Sequence, residues 1–527
     1  MFNLGDSAIA SILHDGYHKF LGGFYTFDFS TSSVAGIIKS RVGDQLKNID
    51  SLLVRNEYKV RIYTDYFLGS LRFLLSIHDL HKAQISSLDD LSHSYLKTWL
   101  GLPRCATWAI VHDCHGLNIK SFDHLYKECR TLTLSNIRFF SDQRVQHALD
   151  VKENRENNWR RKFSSASFAK GVIQEVAAPV VVSDVSAIAN LDDSHDSWSS
   201  LEFDDTLAPP PSSPPHVSGP PPPTALPPHS APSASARASR KSGRKTVLKR
   251  KVQGGIQERV NDFWSEKVGQ YVMQGDYLAL IMEERDCITW RAYMWDIPCG
   301  VLKFAINAGI NTLPTFDNLK RWGKRTNDRC PFCGNTQTLL HVLSNCGVAL
   351  DQGRYTWRHN SVLSTLIRII RPVLIDGSRL YSDMPEYQAP HGGTIPPEIL
   401  VTNLKPDLFI VNEVSKVAVV FELTCPWDTN IDRSHAYKEE KYAALVADLS
   451  IDYKVYHFSV EISVRGHITK ANRSRLKSLA FRCCNNARVV TKALISNASK
   501  AALLSSYSIF SARKEPAWMS PAPLVIK

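Results

Sequence analysis

The sequence predicts a multidomain α+β chain, and three observations carry that prediction. Apolar residues recur at helical spacing in the first 165 residues and again from 255 to 325. A stretch over 209–232 holds twelve of the 27 prolines and separates the two helical regions. Beyond residue 400 the period changes, and β-branched and aromatic runs flank a helical stretch, the layout of an α/β unit with a central sheet.

The upstream part reads as a small helical bundle. Leu88, Leu91, Tyr95, Leu96 and Trp99 form one apolar stripe that stops at Gly101-Leu102-Pro103, and Phe67, Leu71, Leu74 and Leu75 mark a preceding helix over about Arg61–His78. The proline runs, with few donors and little apolar surface, predict an extended linker, and the acidic flank from Asp184 to Asp205 predicts disorder. We bound this linker at 166–236. Within it, Val180-Val181-Val182-Ser183-Asp184 is an isolated apolar run of the kind that adds to a sheet edge or is incidental. From Arg237 to Lys251 eight Lys/Arg stand without an acid, suiting an import signal, a phosphate-contacting arm or a solvated tail. In 255–325, Trp264, Tyr271, Leu278, Trp290, Tyr293 and Trp295 are large core candidates.

Composition narrows the partners. The net charge of +12 conceals an asymmetry, because residues 171–236 carry eight Asp/Glu and no Lys or Arg, leaving 63 basic against 43 acidic residues elsewhere. A field of that sign favours polyanions. No window approaches eighteen consecutive apolar residues and the N-terminus lacks the sections of a secretory signal, so no membrane partner and an intracellular location are expected. Eleven thinly spread cysteines fit reduced thiols and one metal site better than a disulfide framework.

That metal site is Cys330-x2-Cys333-x7-His341-x4-Cys346. Cys330 and Cys333 are placed on one tight turn in which Gly334 can supply a positive φ, and the spacing of His341 and Cys346 is compatible with a short helical turn that closes the tetrahedron. Four N/S ligands with no vacancy predict structural Zn2+. Lys320, Arg321, Lys324, Arg325 and Arg329 precede it, suggesting a face toward nucleic acid.

A second constellation follows. Asp407 opens a predicted strand, Leu408–Val411, and Glu422 lies near the end of the next, Val417–Cys425, so antiparallel pairing would bring both carboxylates to one sheet edge as a cradle for Mg2+. Glu422 interrupts a run that otherwise reads as a buried strand, and a carboxylate there needs a partner. On the predicted helix Ser434–Leu449, Lys438, Lys441, Tyr442 and Leu445 share one face, which aims an ammonium at the carboxylates. Such a group stabilises charge developing on a phosphorane-like transition state.

Lys405-Pro406-Asp407, Glu422-Leu423-Thr424 and Lys438-Glu439-Glu440-Lys441-Tyr442, preceded by the Cys-Cys-His-Cys cluster, resemble the C-terminal half of site-specific non-LTR retrotransposon polyproteins, which join a reverse transcriptase to a restriction-like endonuclease. The resemblance implies a PD-(D/E)xK-type fold whose catalytic lysine has moved from the strand to the next helix, Thr424 standing where the ordinary enzyme has lysine. It implies Asp407 and Glu422 as Mg2+ ligands, Lys438 or Lys441 as the cation and Tyr442 as a positioning group. Leu313-Pro314-Thr315-Phe316-Asp317-Asn318-Leu319 with Trp322 is similar to the helical linker of these proteins. Phe20-Leu21-Gly22-Gly23 is similar to their late palm motif, and Leu71–Tyr126 to the thumb.

The expected organisation is therefore palm end and thumb over 1–165, disordered linker over 166–236, basic arm and helical linker over 237–325, zinc knuckle over 326–350, endonuclease over 351–500 and a tail over 501–527. No Phe/Tyr-x-Asp-Asp stands in the chain, and Tyr63-Thr64-Asp65-Tyr66 lacks paired aspartates, so no autonomous polymerase activity is expected. The reading is of a fragment of such an element, in the nucleus, with target DNA as partner and element RNA as a second candidate. In the family a nick supplies the 3′-OH that primes reverse transcription. The rival readings are a non-catalytic nucleic-acid-binding protein and an inactive relic.

Overall fold

The computed structural model of the chain describes residues 2–4, 7–9, 16–26, 31–138 apart from 115, 142–148 apart from 146, 234–518 apart from 285–289 and 391, and 522–524. These fall into two compact units, Met1–Cys129 with Gln257–Lys527, and Arg130–Ile256. The architecture is mixed α+β. The proline-rich run, its acidic flank and Val180–Asp184 lie outside the described residues. Among the described residues no helix is long and apolar enough to cross a membrane.

Two hairpins open the chain, β1 (Phe2–Leu4) with β2 (Ser7–Ile9) and β3 (Tyr17–Phe20) with β4 (Gly23–Thr26). The second turns through Leu21 and Gly22, both at positive φ, the two-residue turn whose twist matches paired strands. Helices follow: α1 (Thr31–Ser51), α2 (Asn56–Ile62), α3 (Leu68–Ile77), α4 (Lys82–Leu100), α5 (Ala109–His112) and α6 (Phe122–Arg138). The single helix expected over Arg61–His78 is instead α2 and α3 joined by a π turn at Tyr63–Phe67. Through that widened turn Tyr63 meets Trp99 edge-on at 6.3 Å and Phe67 meets Phe122 at 6.4 Å. Helix α4 buries Leu88, Leu96 and Trp99 and ends at Gly101, whose left-handed φ of 65° closes it.

Beyond the linker come α7 (Ala234–Gly269), which contains the backbone of the basic arm, α8 (Asp276–Glu283), α9 (Cys299–Gly309) and α10 (Phe316–Arg321). Leu278 and Tyr293 are buried, and Trp264, Tyr271 and Trp295 pack against the same core. The knuckle leads into α11 (Gly347–Asp351) and the long α12 (Arg354–Ile370).

The last part is a four-stranded sheet in the order β5 (Ser378–Ser382), β6 (Leu408–Asn412), β7 (Val417–Thr424), β8 (Lys454–Glu461). The first two pairings are antiparallel, and β7 pairs β8 in parallel through the crossover helix α13 (Ile431–Leu449). Strand alternation divides the side chains between two cores. Leu408, Ile410, Val419, Phe421 and Leu423 join the larger core with α12, α14 (Lys470–Cys483) and α15 (Ala487–Ser511). Phe409, Val411, Ala418 and Val420 meet Tyr442, Leu445 and Leu449 of α13 on the other face.

Candidate functional site

The register brings the two carboxylates together. Leu408 faces Phe421 across the antiparallel pair, which sets Asp407 against Glu422 one step further along. By alternation both side chains belong to the α13 face. The Asp407 amide donates to Glu422 Oε1 at 3.1 Å, and the Leu423 amide donates to Asp407 Oδ2 at 2.7 Å. Tyr442, Leu445 and Leu449 seat α13 on the sheet, and one turn before Tyr442 the Lys438 ammonium donates to Glu422 Oε2 at 2.5 Å.

Lys441 is placed differently: it is exposed and donates to the Tyr442 hydroxyl at 3.2 Å rather than to a carboxylate. The Tyr442 hydroxyl in turn donates to the Lys405 carbonyl at 3.0 Å, tying the helix to the segment that presents Asp407. Thus Asp407, Glu422, Lys438 and Tyr442 gather, with Lys441 on the rim.

The electrostatics follow from crowding two carboxylates in a place with little water. Burial and then repulsion from Asp407 push the Glu422 carboxyl up, against the pull of Lys438. Burial also opposes charge on Asp407, but His359, the Leu423 amide and Lys438 outweigh it and hold that carboxyl low. Burial and the Glu422 carboxylate push the Tyr442 hydroxyl well up, so it stays a neutral donor. Two adjacent acids of which one is destabilised as an anion form a donor set that a divalent cation would relieve.

A cleft of ≈470 Å3 opens beside them, lined among others by His359, Asp383, Asp407, Thr424, Cys425 and Lys438. His359 comes from α12, and its Nε2 lies 3.2 Å from Asp407 Oδ2 and 3.2 Å from the Leu423 carbonyl oxygen. Burial would lower its pKa, but Asp407 prevails and raises it to about 9. Sequence reasoning passed over His359 and Asp383. The only sequence signal for His359 is a polar residue amid the apolar positions of an amphipathic helix.

The knuckle is built as its spacing suggests. Sγ of Cys330, Cys333 and Cys346 and a ring nitrogen of His341 all lie within 4.8 Å of one another, so the four could hold a metal ion. Gly334, at φ 74°, donates its amide to the Cys330 carbonyl at 3.0 Å and closes the turn between the first two cysteines. His341–Asn345 forms a π turn that delivers His341 and Cys346 to the same spot. Burial pushes the Cys346 thiol up to about 11, which a bound cation would reverse. Three thiols and an imidazole, with the Cys346 amide satisfied by the Tyr355 hydroxyl at 3.1 Å, suit structural Zn2+.

The five basic residues before the knuckle are exposed but do not form one free cationic face. Lys320 pairs with Asp328 at 3.0 Å, Arg321 with Asp317 at 2.8 Å, and Arg329 donates to the Gly334 carbonyl at 3.3 Å. Arg325 lies over the Phe316 ring at 3.5 Å, and Lys324 projects outward. No protein-family model matches the chain, and no curated protein matches it.

Proposed function

We propose that the chain is a metal-dependent DNA endonuclease that nicks duplex DNA, and that it is the C-terminal part of a site-specific non-LTR retrotransposon polyprotein. The observation that carries this reading is the convergence of Asp407 and Lys438, both on the wall of an open cleft, with Glu422 buried behind them and bonded to both. Held by Asp407 and Glu422, Mg2+ would supply Lewis acidity at the scissile phosphate and an activated water.

The chain's own residues supply the rest. The Lys438 ammonium balances the Glu422 carboxylate in the resting site and is positioned to turn toward phosphoryl oxygens as their charge grows. Tyr442, held by the Lys405 carbonyl, keeps Lys438 and Asp407 in mutual register. Zn2+ in the knuckle has a structural task, and Lys324 with the outer edges of Arg321 and Arg325 offers phosphate contacts. The N-terminal helices are the thumb in this proposal, 237–325 is the basic arm and helical linker, and the sheet with α12 and α13 is the PD-(D/E)xK-type domain. Target DNA, element RNA and a nuclear location belong to the same proposal.

The test is conversion of supercoiled plasmid to open circles by the full chain with Mg2+. Nicking is expected, and Asp407→Ala should abolish it. Activity unchanged in that variant would overturn the assignment. Salt-sensitive DNA binding without any cleavage would favour the non-catalytic reading instead.

A further inference from the structure

We propose that His359 is a third protein ligand of the metal site, donating through Nε2 beside Asp407 and Glu422, and that it turns the site toward divalent transition ions such as Mn2+ and away from Mg2+. The inference rests on the endonuclease reading and deepens it.

The argument is geometric. His359 Nε2, Asp407 Oδ2 and the Leu423 carbonyl oxygen form a cluster in which the nitrogen stands 3.2 Å from each oxygen. Around a six-coordinate ion with bonds of about 2.1 Å, neighbouring donors stand about 3 Å apart. The nitrogen therefore already stands at the spacing of an adjacent ligand from each oxygen, and the Leu423 carbonyl directly follows the Glu422 side chain in the chain. The Nε2 proton bridges the two oxygens; ligation would release that proton to solvent and put the ion in its place.

The ring is also held as a ligand should be. Nδ1 faces Asn360 Oδ1 at 3.1 Å and donates to it, which leaves Nε2 as the coordinating atom. Its neighbour on α12, Arg358, is buried and donates to the Leu343 carbonyl at 2.8 Å, fixing the turn of helix that aims His359. The ring is about a quarter exposed and lies on the cleft wall, so an ion can reach it. An imidazole with no metal role would satisfy Asp407 equally well, and the experiment separates the two. Mg2+ takes oxygen ligands and keeps its waters, whereas divalent transition ions accept imidazole nitrogen.

The experiment is Mn2+ electron paramagnetic resonance on the full chain with its knuckle loaded with zinc, recording electron spin echo modulation from 14N. Mn2+ competes poorly for thiolates, so the knuckle keeps its zinc. Wild type should bind Mn2+ with 14N modulation, and His359→Gln should lose the modulation while binding Mn2+ roughly tenfold or more weakly. The ratio of nicking rates with Mn2+ and Mg2+ should fall in parallel. His359→Ala, checked for zinc content and thermal midpoint, guards against a local defect peculiar to glutamine. Asp407-dependent Mn2+ binding without 14N modulation, or modulation that persists in both His359 variants, overturns the ligand assignment alone. Mn2+ binding unaffected by Asp407→Asn overturns the endonuclease reading and this inference with it.

Discussion

Lys438 and Lys441 lie one turn apart on α13, and their surroundings differ. Lys438 is largely covered and rests on a carboxylate that is itself buried, whereas Lys441 is exposed and donates to the Tyr442 hydroxyl. An ammonium acts on a transition state only where water does not already screen it. Lys438→Ala is therefore expected to lower plasmid nicking by about 10²-fold or more, while Lys441→Ala stays within about threefold of wild type. Single-turnover nicking rates of the two variants check this, and equal losses would contradict the difference in roles. Glu422 was legible in the sequence because a carboxylate inside an apolar run is costly and must be compensated, and Asp407 because it opens the strand that pairs with that run. The choice between the lysines was not, because both fall on the same helical face and only packing decides which one meets Glu422. His359 was not legible either: 48 positions separate it from Asp407, and nothing local marks a histidine on an amphipathic helix as part of a site.

Periodicity decided which elements could be read. Strands β6, β7 and β8 and helix α13 are long, strongly patterned segments, and α4 carries both its stripe and its glycine stop. Strand β5, Ser-Arg-Leu-Tyr-Ser, is only partly buried at the sheet edge and has too little apolar content to show a period of two. The junction of α4 and α5 holds a feature that pattern alone could not reveal. His93 of α4 stacks on Trp108 at 3.6 Å and meets His112 at 3.0 Å between the two Nε2 atoms. His112 Nδ1 donates to the Ile119 carbonyl at 2.7 Å, so its Nε2 accepts and His93 donates. Burial, then His112 and Lys97, hold His93 down at about 3, and burial holds His112 at about 4 despite Ile119. Both rings are thus neutral in the fold and ordinary in the unfolded chain, which binds more protons as the pH drops. Stability should be fully present above pH 6.5 and fall on acidification from 6.5 toward 4, by about 1.4 kcal/mol per pH unit for each proton taken up. Amide exchange in α4 and α5 at pH 7.5, 6 and 5 reads this locally. In His93→Gln/His112→Gln the pH dependence of those amides should flatten, and a slope unchanged in the double variant would contradict the assignment.

At the scale of the whole molecule, one helix links the knuckle to the carboxylates. The N-terminal turns of α12 hold the knuckle: Arg354 lies over the Phe332 ring at 4.7 Å, the Tyr355 hydroxyl donates to the His341 carbonyl at 3.1 Å, and Arg358 donates to the Leu343 carbonyl. Arg354 also donates to the Ala512 and Glu515 carbonyls at 2.8 and 2.7 Å, fastening the same turn to the end of α15. The next residue after Arg358 is His359, on the cleft wall, and Arg358 itself reaches the Cys425 carbonyl at 3.3 Å just past β7. A short Cys/His loop buries little apolar surface, so with zinc bound as proposed its order would depend on the ion. Losing the ion would free the Phe332 ring from Arg354 and the His341 and Leu343 carbonyls from Tyr355 and Arg358, leaving the buried Arg358 guanidinium one acceptor short, a cost that α12 would relieve by shifting. Cys346→Ser should therefore lower bound zinc from one equivalent toward none and lower the thermal midpoint. It should also cut nicking by about tenfold or more, although Cys346 touches neither carboxylate. The decisive comparison is DNA affinity in the same variant: if affinity collapses while the single-turnover rate of bound DNA is unchanged, the knuckle serves binding and the link through α12 is absent. A reduced rate at saturating DNA is the outcome that the shared helix requires.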